Sequence, residues 1–90
     1  MTNAPRWTVV YHRTLEKEIR LLPKPYIRRV LEAIEGLAED PRPHGSEKLE
    51  GYDLLKLRIG IYRIIYHIDD PKRVVSTYRV GHRRDVYRHL

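Results

Sequence analysis

Five cations in the second half of this chain are spaced to do chemistry together. Lys56, Arg58 and Arg63 fall within "KLRIGIYRIIYHI" (56–68), and Arg79 and Arg83 within "YRVGHR" (78–83). No Asp or Glu stands between Asp53 and Asp69, so the first three have no acidic neighbour in sequence. Side chains alternate along a strand, and strands lie about 4.8 Å apart, so cations on one face of adjacent strands can share one anionic ligand. Their mutual repulsion favours an anion in the site. Tyr87 stands among Arg83, Arg84 and Arg88, and an aromatic interleaved with arginines is a stacking platform for a base. A site for phosphate plus base is a site for a polynucleotide. The alternative is a solvated cationic face that discourages aggregation, with Tyr87 packed under a terminal helix.

Other chemistries find less support. The chain has no cysteine, and its five histidines (12, 44, 67, 82 and 89) show no ligand spacing, so neither a disulfide nor a metal site is expected. His82, beside Arg83, could share proton work because an unperturbed imidazole titrates near neutrality, or it could be a structural histidine at a strand end. The net charge of the 90 residues is +6. Residues 1–51 carry nine Lys/Arg against eight Asp/Glu, whereas residues 52–90 carry nine against four. A basic module of this kind attracts polyanions. With no signal-peptide core and no apolar run near the roughly 20 residues of a membrane span, a cytoplasmic protein without membrane association is expected, folded as a single domain over 1–90.

The elements that must position the cations follow from patterning. "RWTVVYH" (6–12) is rich in β-branched and aromatic residues, as strands are. Leu15, Ile19 and Leu22 repeat at helical spacing, with Thr14 available as N-cap. "PKP" (23–25) ends that helix and suits the first turn of the next. From Lys24 to Asp40, Ile27, Val30, Leu31, Ile34, Leu37 and Ala38 form an apolar stripe. "DPRPHGSEKLEGYD" (40–53) has the composition of a loop. Strands are expected over 54–59, 62–68 and 73–81, turning at Gly60–Ile61 and at "DDPK" (69–72), and "RRDVYRHL" as a short helix or tail. Alternation places Leu55, Leu57, Ile59, Tyr62 or Ile64, Tyr66, Ile68, Val74, Tyr78 and Val80 on the core face, and the cations on the other. The expected fold is α+β, with order β-α-α-β-β-β and a helical hairpin on one face of an antiparallel sheet.

"KLEGYDLLKLRIGIYRIIYHIDD" followed by "VVSTYRVGHRRDVYR" resembles the RelE/ParE superfamily of toxins, in its RelE-like branch. The resemblance covers nearly the whole chain. It implies a ribosome-dependent endoribonuclease that cuts mRNA in the A site without metal or other cofactor. It also implies a RelB-like antitoxin partner, ribosome and mRNA as targets, and operator DNA bound only through the antitoxin complex. Such cleavage uses the 2′-hydroxyl as nucleophile on the adjacent phosphate, and needs a base, an acid and positive charge on the phosphorane. By the resemblance, Lys56 is the general acid or base, Arg63 binds phosphate, Arg83 stabilises the phosphorane or leaving group, and Tyr87 stacks on or orients the base. Arg58 and Arg79 are secondary RNA contacts, and His82 a further one. Leu54 stands where the best-known pattern has a second lysine, so that charge is expected from Lys48 or Arg58. Two rival functions stand beside this one, although ParE-type toxins share the fold and generally lack the full basic catalytic set that Lys56, Arg63, Arg83 and Tyr87 make up here. One is a ParE-type toxin that inhibits DNA gyrase, the other a non-catalytic ribosome- or RNA-binding module.

Overall fold

The computed structural model describes residues 6–88. Its elements are β1 (Thr8–Tyr11), α1 (Arg13–Arg20), α2 (Lys24–Gly36), β2 (Ser46–Lys48), β3 (Leu55–Ile59), β4 (Tyr62–Asp69) and β5 (Val74–His82). The strands form one sheet in the order β1-β5-β4-β3-β2. The pairs β2–β3, β3–β4 and β4–β5 are antiparallel, as consecutive hairpins must be. β1 instead joins the far edge parallel to β5, with Thr8 opposite Val74 and Tyr11 opposite Thr77. The connection between them, two helices that carry the chain across the sheet followed by β2, β3 and β4 leading back, makes the crossover that a parallel pairing requires.

The helices cover one sheet face. Leu15, Ile19 and Leu22 from the first, and Val30, Ile34 and Leu37 from the second, meet Leu57, Ile64, Tyr66, Ile68, Val75 and Val80. Each apolar side chain buried this way contributes about 1.5–3 kcal/mol, and a chain of this size depends on most of them. Pro23 is the N-cap of α2, with Pro25 in its first turn. After Gly36 the helix tightens into turns bonded three residues back, such as Ala38 N–H to Glu35 O at 3.1 Å, so it stops short of Asp40.

Three expectations are corrected, and a fourth is decided between its two alternatives. Thr14 does not cap α1: β1 runs directly into the helix through His12, whose N–H still bonds Thr77 O at 3.0 Å. His12 stacks on Tyr78 at 4.3 Å instead. Residues 40–53 are not all loop, because Ser46–Lys48 pair with β3. Val74 and Tyr78 do not supply the core; Val75 and Thr77 do, both fully buried. Tyr78 is the extra residue of a β-bulge, since Ile65 pairs with Arg79 and Tyr66 with Thr77, and the bulge shifts the alternation by one. Thr77 is tolerated there because its hydroxyl donates to Val10 O at 2.7 Å. Finally, residues 83–88 are successive turns rather than a helix, and residues 89–90 lie outside the described range.

Candidate RNA-binding and cleavage site

The face of the sheet away from the helices carries the cations. Lys56 and Arg58 alternate on β3 with Leu57, which enters the core. Across the hairpin, Arg58 pairs directly with Arg63 of β4. Like charges opposite one another on a sheet are destabilising by a few tenths of a kcal/mol to about 1 kcal/mol. The arrangement therefore stores a repulsion that an anion would relieve. Arg63 is not free to swing away. Its Nη1 donates to Gly60 O and to Tyr62 O, each at 2.9 Å. Gly60 makes the tight turn possible with φ of +60°.

Lys56, Arg58 and Arg63 line a groove of about 480 Å³ together with His44, Gly45, Ser46 and Glu47. The wall from 44 to 47 comes from β2 and the chain before it, a stretch with the composition of a loop. Glu47 sits opposite Lys56 in the β2–β3 register, its carboxylate 3.7 Å from the ammonium. The site is thus not purely cationic. Glu47 offsets the like-charge repulsion on Lys56 and adds a proton acceptor that the sequence did not advertise. Its only signal is the "KL.G" context that follows, since "SEK" has no apolar alternation.

The preceding segment is fastened on the helix side. The buried Tyr66 hydroxyl donates to Pro41 O at 2.8 Å. Burial pushes this phenol above its usual 10.0, against a smaller opposing pull from the Ser46 hydroxyl. Arg42 forks onto Asp70 at 2.9 and 3.2 Å, and that guanidinium holds the Asp70 carboxyl below its usual range.

The remaining expected residues divide. Tyr87 comes to the groove, its ring centroid 5.8 Å from Lys56 Nζ. Arg83 is exposed at the turn end, where its N–H bonds Ile61 O at 2.8 Å. His82 accepts the Arg84 N–H on Nδ1 at 3.1 Å, which leaves Nε2 as its other polar atom. Arg79 turns away from the groove. It forks onto Glu18 of α1 at 2.9–3.1 Å, and the same carboxylate accepts the Val80 N–H. Its charge is spent fastening α1 to β5. Lys48 lies on β2 but does not line the groove. Arg58, Arg63 and Arg83 make no ion pair among the described residues. No group of three or more His, Asp or Glu side chains assembles into a metal-binding set among them either, and no helix there is long and apolar enough to cross a membrane. A second concavity, between β1 and α2, is lined by Trp7, Val9, Tyr11 and Ala38 with Glu35 and Glu39. Its carboxylates do not suit a phosphate.

Comparison with known proteins agrees with this architecture. A family model described as ParE toxin of type II toxin–antitoxin system, parDE, matches residues 6–87. Toxin RelG of Mycobacterium tuberculosis is 33% identical over 84 residues, covering 91% of this chain and 97% of that one. The archaeal RelE–RelB complex of Pyrococcus horikoshii contains a chain 31% identical with a TM-score of 0.79, covering 90% of this chain and 99% of that one. The intact Escherichia coli RelBE toxin–antitoxin complex offers a match of 26% identity and TM-score 0.72, over 84% of this chain and 95% of that one. Both sequence and fold thus lead to one conclusion: the chain belongs to the RelE/ParE toxins of type II toxin–antitoxin systems.

Proposed function

We propose that this toxin is a RelE-like endoribonuclease that cleaves mRNA in the ribosomal A site. The observation that carries the reading is the direct pairing of Arg58 with Arg63 in a groove that also holds Lys56 and Glu47. A phosphodiester satisfies both guanidiniums, and a phosphorane with its extra negative charge satisfies them better, which is how a preorganised site accelerates a reaction. The 2′-hydroxyl attacks the adjacent phosphorus, forming one P–O bond as the bond to the 5′-oxygen breaks. The hydroxyl proton passes to a base and the departing 5′-oxygen takes a proton from an acid. Lys56 and Glu47, 3.7 Å apart, and His44 on the same wall are the groups of the groove able to divide those roles. Arg83 supports the leaving group, and Tyr87 stacks on the base. Arg58 is a direct phosphate contact in this scheme, Lys48 and His82 contribute at the periphery of the bound RNA, and Arg79, paired with Glu18, is withdrawn from RNA contact. The protein would act in the cytoplasm, held inactive by a RelB-like antitoxin, with operator DNA reached only through the antitoxin.

Primer extension on an mRNA translated by purified ribosomes, with and without the protein, tests this. Cuts within A-site codons that vanish without ribosomes are expected. The family match is to ParE toxins, which favours gyrase inhibition as the second reading. Intact mRNA together with inhibited DNA supercoiling would select it. Intact mRNA with stalled translation would select a ribosome binder without chemistry.

A further inference from the structure

Two apolar side chains are buried outside the helix-side core: Ile65, fully, and Val86, at 1% exposure. Both belong to the opposite face. Ile65 alternates with Ile64 and Tyr66, which enter the core, and its cross-strand neighbours are Lys56 and Arg79. Gly81 follows the core residue Val80, so a Cβ on it would project onto the open face, and there it would meet Val86 Cβ at 3.5 Å. The tail thus lies back over the open face, with Val86 seated in van der Waals reach of Gly81. Its backbone is held as well: the Asp85 and Val86 N–H groups bond His82 O at 2.8 and 3.0 Å, and the Arg84 N–H bonds the His82 ring. The residue after Val86 is Tyr87, whose ring lies over Lys56.

We propose that Val86 is a positioning residue, whose burial on Gly81 clamps the tail to the open face and holds Tyr87 over Lys56. The tail thereby lies beside the groove at Lys56, held by the Val86 contact, by turn hydrogen bonds and by Arg79 Nη1, which donates to Arg88 O at 3.2 Å. Val86 fixes the chain just before Tyr87, while the Arg79 hydrogen bond to Arg88 O holds it just after. This rests on the ribonuclease reading for its effect on rate, but not for the geometry.

The test compares Val86→Asp, Val86→Ile and Tyr87→Ala, alone and combined. In wild type and Val86→Ile, a nuclear Overhauser contact between the Tyr87 ring and the Lys56 ε-methylene is expected; in Val86→Asp it disappears. Ribosome-dependent cleavage by Val86→Asp should fall roughly ten- to a hundred-fold, the scale on which a misplaced group costs rate. Adding Val86→Asp to Tyr87→Ala should cost nothing further, because both remove the same thing. The thermal midpoint should fall by several degrees, as the loss of one buried valine requires, while unfolding stays cooperative because the helix-side core is untouched. A persisting Tyr87–Lys56 contact in Val86→Asp, or losses that multiply in the double variant, would overturn the proposal. If wild type itself cleaves nothing, the ribonuclease reading fails, and the Overhauser contact alone decides whether Val86 places Tyr87.

Discussion

At the scale of single residues, the groove separates charge from proton transfer. Arg63 is tied by two carbonyls into a fixed position opposite Arg58. Arg63→Ala should therefore lower cleavage by about 10²–10³-fold, as loss of a preorganised charge does, while circular dichroism and melting stay close to wild type. Full activity in that variant would remove Arg63 from the site. Lys56→Arg keeps a cation beside Glu47 but supplies a group that does not give up its proton. If Lys56 transfers a proton, single-turnover cleavage should fall at least tenfold and lose one limb of its pH profile. An unchanged rate and profile would assign Lys56 to charge alone and leave Glu47 and His44 as the proton carriers. The cations of this site were legible in sequence because they alternate with core residues on β3 and β4. Glu47 was not, because "SEK" carries no apolar residue, and only pairing with β3 makes it a strand that faces Lys56.

At the scale of elements, two devices hold the groove in shape. The first is the β3–β4 turn. Gly60 has φ of +60°, and a Cβ there would meet the Tyr26 ring at 3.3 Å. Gly60→Ala should cost about 1–2 kcal/mol for the left-handed conformation, and more if Tyr26 cannot yield. Because Gly60 O also receives Arg63, activity should fall along with the melting temperature. A loss of stability with full activity would show that the turn does not position Arg63. The second device is Tyr66, whose hydroxyl anchors the chain at Pro41 ahead of the 44–47 wall. Burial raises its folded-state pKa above 10.0, so folding favours the neutral phenol. That contribution is present below the unfolded value of about 10 and is lost as pH rises through the folded one. Tyr66→Phe should be less stable at neutral pH by about 1–3 kcal/mol, for the unpaired Pro41 carbonyl. It should also show a shallower stability loss above pH 10 in urea titrations; an identical alkaline slope would exclude Tyr66 as its source. The helices and the β3–β4 hairpin followed from periodicity and glycine. The bulge at Tyr78 did not, because alternation read from one strand assumes an unbroken ladder, and the extra residue is defined only by the partner strand. The Arg79–Glu18 fork joins residues 61 apart, a separation at which no local pattern operates.

At the scale of the whole molecule, the excess of charge is sorted by the fold rather than merely concentrated late in the chain. Several cations are neutralised where they stand: Arg79 by Glu18, Arg42 by Asp70, and Arg28 by Glu32 on α2. Arg58 and Arg63 are left to face each other in the groove. Net charge alone therefore overstates the number of cations available to a polyanion, and salt dependence can count those that remain. Each contact to a single-stranded phosphate contributes a slope of about −0.7 to log K against log salt. For a short single-stranded RNA with its 2′-hydroxyl blocked at the cleavable step, Arg58→Ala should flatten that slope by about 0.7. Arg28→Ala should leave it unchanged, because that side chain lies on a helix packed against the other face and is already paired. The two variants carry the same net charge, so a general electrostatic attraction would move both slopes equally. Equal slopes would mean that RNA is drawn to the molecule as a whole and not seated in the groove. A difference confined to Arg58→Ala would place a phosphate between β3 and β4, where the two arginines oppose one another.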